Sequence, residues 1–75
     1  MGLREMNGQH SEQGIATEVR RARRSREWSQ SELADRAGVS RPTIARIEGG
    51  QDVSMATLAK VAGTLGLRLA VVATA

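Results

Sequence analysis

The chain has 75 residues, no cysteine, one histidine, and eleven Lys plus Arg against eight Asp plus Glu, a formal net charge of +3. That length allows one domain with a thin core, and the missing cysteines exclude disulfides and thiolate metal sites. His10 stands alone in a polar leader, so no catalytic constellation or metal site can be assembled, and no enzyme or cofactor is expected.

No run approaches eighteen apolar residues, and residues 1–10 are too polar for a signal-peptide core, which makes the cytoplasm the default compartment and a membrane an unexpected partner. Ten of the eleven bases are arginine, and five of them fall within residues 20–26. Arginine's planar fork suits bidentate contact with phosphate or guanine.

Residues 1–14 carry three glycines and no sustained period, and read as a flexible leader. Residues 15–25 form the first helix, with Ile15, Val19 and Ala22 on its inner stripe and Arg20, Arg21 and Arg24 pointing away from it. Those three arginines serve either electrostatic approach to a phosphate backbone or a merely solvated face. Arg23 sits at the edge of the buried side, within reach of an inward carboxylate. Trp28, the only aromatic residue, reads as a core plug, because a base-stacking platform interleaves several aromatics with its positive charge.

The stretch WSQSELADRAGVSRPTIARIEG organises the rest. Ser29 caps a short helix that Gly38 stops, and Ser40 caps a second one over RPTIARIEG. Leu33, Ala34 and Ala37 share one face, Ile44 and Ile47 another, and Val39 plugs the angle between. This is the sequence form of a helix-turn-helix.

If the second of these helices enters a major groove, Arg41, Pro42, Thr43, Ala45 and Arg46 face base edges. Arg41 and Arg46 lie roughly 7.5 Å apart along the axis, and each suits guanine O6 and N7. Thr43 offers a methyl to thymine or a hydroxyl to phosphate, and Pro42 starts the helix rigidly. Ser29 and Gln30 open the preceding helix, where free amides and a partial positive charge favour a phosphate oxygen. Glu48 is the one carboxylate on an otherwise basic helix, and Arg23 is its natural partner in a structural pair. Glu32 and Arg36 give ordinary i, i+4 support.

After a Gly-Gly and a short polar loop, Ser54 caps a further helix over 55–64, with Leu58, Val61, Ala62 and Leu65 as its apolar face. The period then changes. Leu67, Leu69 and Val71 alternate with Arg68, Ala70 and Val72, which predicts a β-strand. A lone strand needs a ladder partner, and the simplest is the same strand of a second copy across a two-fold axis. A short helix on its own domain, a disordered tail and a strand given to another protein are the alternatives.

RRARRSREWSQSELADRAGVSRPTIARIEGG, followed by SMATLAKVAGTLGL, resembles the Xre family of Cro- and lambdoid-repressor-like helix-turn-helix domains, over about residues 15–67. The resemblance implies a mainly α, compact four-helix lambda-repressor-like domain over residues 15–66, binding a palindromic operator in double-stranded DNA as a homodimer. It implies base reading by Arg41, Pro42, Thr43 and Arg46, phosphate contact by Ser29 and Gln30, and a buried Arg23–Glu48 pair. Two departures stand out. Many members have glycine where this chain has Glu27, and the closing helix of phage repressors gives way to LGLRLAVV.

That ending, with residues 67–75 as dimerisation strand and tail, is similar to antitoxins of the HipB and HigA kinds. It implies an autoregulating repressor with a cognate toxin, associated with the nucleoid. A small regulator without a toxin and a protein-interaction module without DNA binding are the competing expectations.

Overall fold

The computed structural model describes residues 11–70. Four helices follow in order: α1 (Ser11–Ser25), α2 (Gln30–Ala37), α3 (Arg41–Glu48) and α4 (Met55–Thr64). α1 begins four residues before the expected 15, so the leader ends earlier than its composition suggests. The remaining leader, residues 1–10, and Val71 in the tail lie outside the described residues.

The serines begin the helices as their chemistry requires. Ser29, Ser40 and Ser54 each hold extended backbone, and each hydroxyl accepts from the amide three residues on, in Glu32, Thr43 and Thr57. The helix ends are also alike. Trp28, Val39, Gln51 and Leu67 each donate their amide to the carbonyl five residues back, at 3.2, 3.0, 2.9 and 2.8 Å. This is the Schellman closure, which requires a left-handed residue just past the helix. Gly38, Gly50 and Gly66 supply it with φ of 71°, 77° and 72°; at the end of α1 it is Glu27, with φ of 59°. The turn at Glu27 therefore takes the conformation that glycine favours, without the glycine.

α3 packs against both α1 and α2, and α2 also packs on α4. Val19, Leu33, Ala34, Ile44, Ile47, Leu58, Val61 and Leu65 form one buried cluster, and Ile15, Ala22, Trp28, Ala37, Val39 and Leu67 lie half-buried against it. Each large aliphatic side chain so buried contributes about 1.5–3 kcal/mol. Val39 and Trp28 occupy the corners expected of them. Among the described residues no helix is long and apolar enough to cross a membrane.

Among these residues there is also no strand, and residues 67–70 have no regular secondary structure. A single chain offers the tail no edge to pair with, so the expected strand is not formed within one copy.

Candidate nucleic-acid interface

The recognition-type helix is α3, and its two faces differ in kind. Ile44 and Ile47 are buried, whereas Arg41, Pro42 and Arg46 are exposed and Thr43 and Ala45 half-exposed. Among the described residues neither Arg41 nor Arg46 meets a carboxylate. The Thr43 hydroxyl is engaged locally, 2.9 Å from the Ser40 hydroxyl.

The one acid of α3 is turned inward. Glu48 is 5% exposed and accepts from Arg23 in fork geometry, Nε to Oε2 at 2.6 Å and Nη2 to Oε1 at 2.9 Å. Arg23 also donates from Nη1 to the Trp28 carbonyl at 2.9 Å. The sequence-derived pair is thus real, and it has more members than expected. Gln30 donates from Nε2 to Glu48 Oε1 at 3.2 Å. Arg20 donates from Nη2 to the Glu48 carbonyl at 2.6 Å, covering an end carbonyl of α3.

Burial pushes the Glu48 carboxyl up, but the bonds from Arg23 and Gln30 and the charges of Arg23 and Arg20 outweigh it and hold the acid below its ordinary range. The bond to Glu48 likewise raises Arg23, against burial. The result is a recognition helix tied at its C-terminal end to α1 and α2 by a charged, hydrogen-bonded knot. Breaking one side of such a pair strands the other charge.

Two residues expected to face phosphate are placed differently. Arg20 is half-buried and engaged with Glu48, so it belongs to the knot and not to the solvated face of α1. Gln30 is half-buried and its amide is given to the same carboxylate, although it still opens α2. Their links span 28 and 18 residues, beyond anything helical spacing reveals. Ser29 is exposed at the α2 cap, and Arg24 is exposed. Arg21 is exposed and pairs with Glu18 at 2.9 Å.

Trp28 is a core plug with a charged rim: the Arg36 and Arg26 guanidinium carbons stand 4.4 and 5.5 Å from its ring centre. Arg36 also pairs with Glu32 at 2.7 Å, as expected. Arg26 donates to the Leu65 carbonyl at 2.9 Å, a tie between the ends of α1 and α4 that the sequence did not suggest. Among the described residues no group of three His, Cys, Asp or Glu comes together to hold a metal.

Two short helices joined through Gly38, the second presenting an arginine-bearing face, define a helix-turn-helix domain. The helix-turn-helix family profile matches residues 19–72, and the chain belongs to that family. In fold it is similar to a chain of the HipA-HipB-O2-O3 complex, with a TM-score of 0.73 at 24% identity over 97% of this chain and 100% of that one. A chain described as MDT protein gives 0.73 at 23%, over 97% and 100%. A HipB variant in complex with an O2 20mer gives 0.73 at 20%, over 99% and 100%. No curated protein matches by sequence. The expected Xre-type, HipB-like architecture holds in its four helices.

Proposed function

We propose that this protein is a sequence-specific DNA-binding repressor that acts as a homodimer and belongs with the antitoxins. The observation that carries the reading is the division of charge on α3. Its only carboxylate is withdrawn into the knot with Arg23, while Arg41 and Arg46 stand exposed on the outward side. A helix arranged in this way presents a positive face to the major groove, and each bidentate arginine–guanine contact is worth about 1–3 kcal/mol of discrimination. Pro42 and Thr43 complete the reading face. Because the Thr43 hydroxyl is engaged with Ser40, its methyl is the group offered to a thymine.

Ser29 and the amino end of α2 contact phosphate, Gln30 orients that end through Glu48, and Arg21 and Arg24 add longer-range attraction. Leu67, Leu69 and Val71 form the strand that joins two copies, with half-sites about 34 Å apart or a multiple of that. Such a protein works in the cytoplasm, on the nucleoid.

Selection of duplexes from a randomised pool tests the reading. Arg41→Ala with Arg46→Ala should abolish binding to the selected site and leave the circular dichroism spectrum intact; unchanged binding refutes the groove assignment. The antitoxin role is supported by the LGLRLAVV tail and by the fold shared with a chain of the HipA-HipB-O2-O3 complex. Co-purification with the product of the adjacent gene, and relief of that product's toxicity, separate an antitoxin from a regulator without a toxin.

A further inference from the structure

α1 and α4 both lean on the centre of the domain but barely meet each other. Between them lies an open cleft of about 480 Å³, walled by Ile15 and Val19 of α1 and Leu58 and Ala62 of α4, and bordered by Leu67 and Leu69 of the tail. A smaller hollow of about 210 Å³ shares Ile15 and Leu58 and extends the apolar surface to Met55, which is 61% exposed. Water has few partners on such walls. None of Arg41, Pro42, Thr43 and Arg46 lines either hollow, so an occupant leaves the reading face free.

We infer that this cleft is the docking surface for a second copy of the chain, the tail of each copy closing over the α1–α4 gap of the other. The inference rests on the homodimer proposed above and gives that dimer its surface. Three observations converge on a second copy as the occupant. The cleft is bordered by the tail itself: Leu69 lines it and still leaves 36% of its surface exposed. The backbone of residues 68–70 finds no backbone partner among the described residues, an edge open to pairing. The rim carries opposite charges, Glu18 on α1 and Arg68 on the tail, and Arg68 has no ion-pair partner among the described residues. A surface bearing both members of a charge pair is self-complementary, as a two-fold interface requires.

Gly14 supplies the test. It lies within α1 at the edge of the cleft, and a Cβ there meets nothing within 4 Å. Gly14→Arg therefore improves helix propensity in the monomer while placing a charge in the path of the docking copy. Leu69→Glu does the same from the tail side. In sedimentation equilibrium of the full chain, both variants should weaken self-association by about tenfold or more, with the helical circular dichroism signal unchanged.

Dimerisation of Gly14→Arg at wild-type strength, with Leu69→Glu disruptive, would mean that tails pair edge to edge and leave the cleft bare; the docking surface falls and the homodimer stands. Loss of capture of the adjacent gene product by Gly14→Arg, without loss of self-association, assigns the cleft to that protein and likewise overturns the inference. A wild-type chain that is monomeric at every concentration reached takes both readings down.

Discussion

Four helices close with the same hydrogen-bond pattern, yet only three of them place a glycine at the left-handed position. Glu27 occupies the fourth, exposed, with φ of 59°. A residue with a Cβ loses about 1–2 kcal/mol in this region. Glycine avoids that loss but gives back roughly 0.5–1 kcal/mol through its greater freedom in the unfolded chain. Glu27→Gly should therefore stabilise the domain by about 0.5–1 kcal/mol. At about 4–8 °C per kcal/mol for a domain of this size, thermal melts followed by far-UV circular dichroism should show Tm rising by about 2–8 °C.

A negative charge just past a helix also opposes the helix dipole, by about 0.3–1 kcal/mol at most, so Glu27→Ala is the necessary control. Alanine removes the charge and keeps the backbone strain, and its gain should be the smaller. Gly38→Ala, which meets no atom within 4 Å but has φ of 71°, should lose about 1 kcal/mol through the same strain. Equal gains from Glu27→Ala and Glu27→Gly would refute the backbone argument and leave the charge as the cause.

The knot around Glu48 makes an acid-side prediction. Its carboxyl is held below the ordinary range in the fold, so its contribution is complete above the unfolded-chain value of about 4.3 and is lost as pH falls through the folded value. Urea titrations across that window should show stability falling in the wild type and a flatter acid limb in Glu48→Gln. At neutral pH the same variant should cost about 3–5 kcal/mol, because Arg23 is left buried without its partner; a loss below 1 kcal/mol would show that the network rearranges. For the phosphate contacts, Arg24→Ala should reduce the log–log salt slope of DNA binding by about 0.9 for each contact removed, and an unchanged slope returns Arg24 to the solvated surface.

The helices were legible because their signals are local. A serine hydroxyl reaches an amide three residues ahead, a glycine accepts the left-handed turn, and the apolar spacing of Leu33–Ala34, Ile44–Ile47 and Leu58–Val61–Leu65 chooses the buried face whatever the partner. The Arg23–Glu48 pair was legible too, since one inward-leaning base and one acid on a basic helix leave few alternatives. Other features depend on how helices distant in sequence come to lie together. Arg20 and Gln30 could be placed at Glu48, and Arg26 at the Leu65 carbonyl, only once α1, α2, α3 and α4 had their mutual positions. The same is true of the α1–α4 cleft. Its walls are ordinary core-facing residues by sequence, and only tertiary packing decides that α1 leans on α3 and leaves them uncovered.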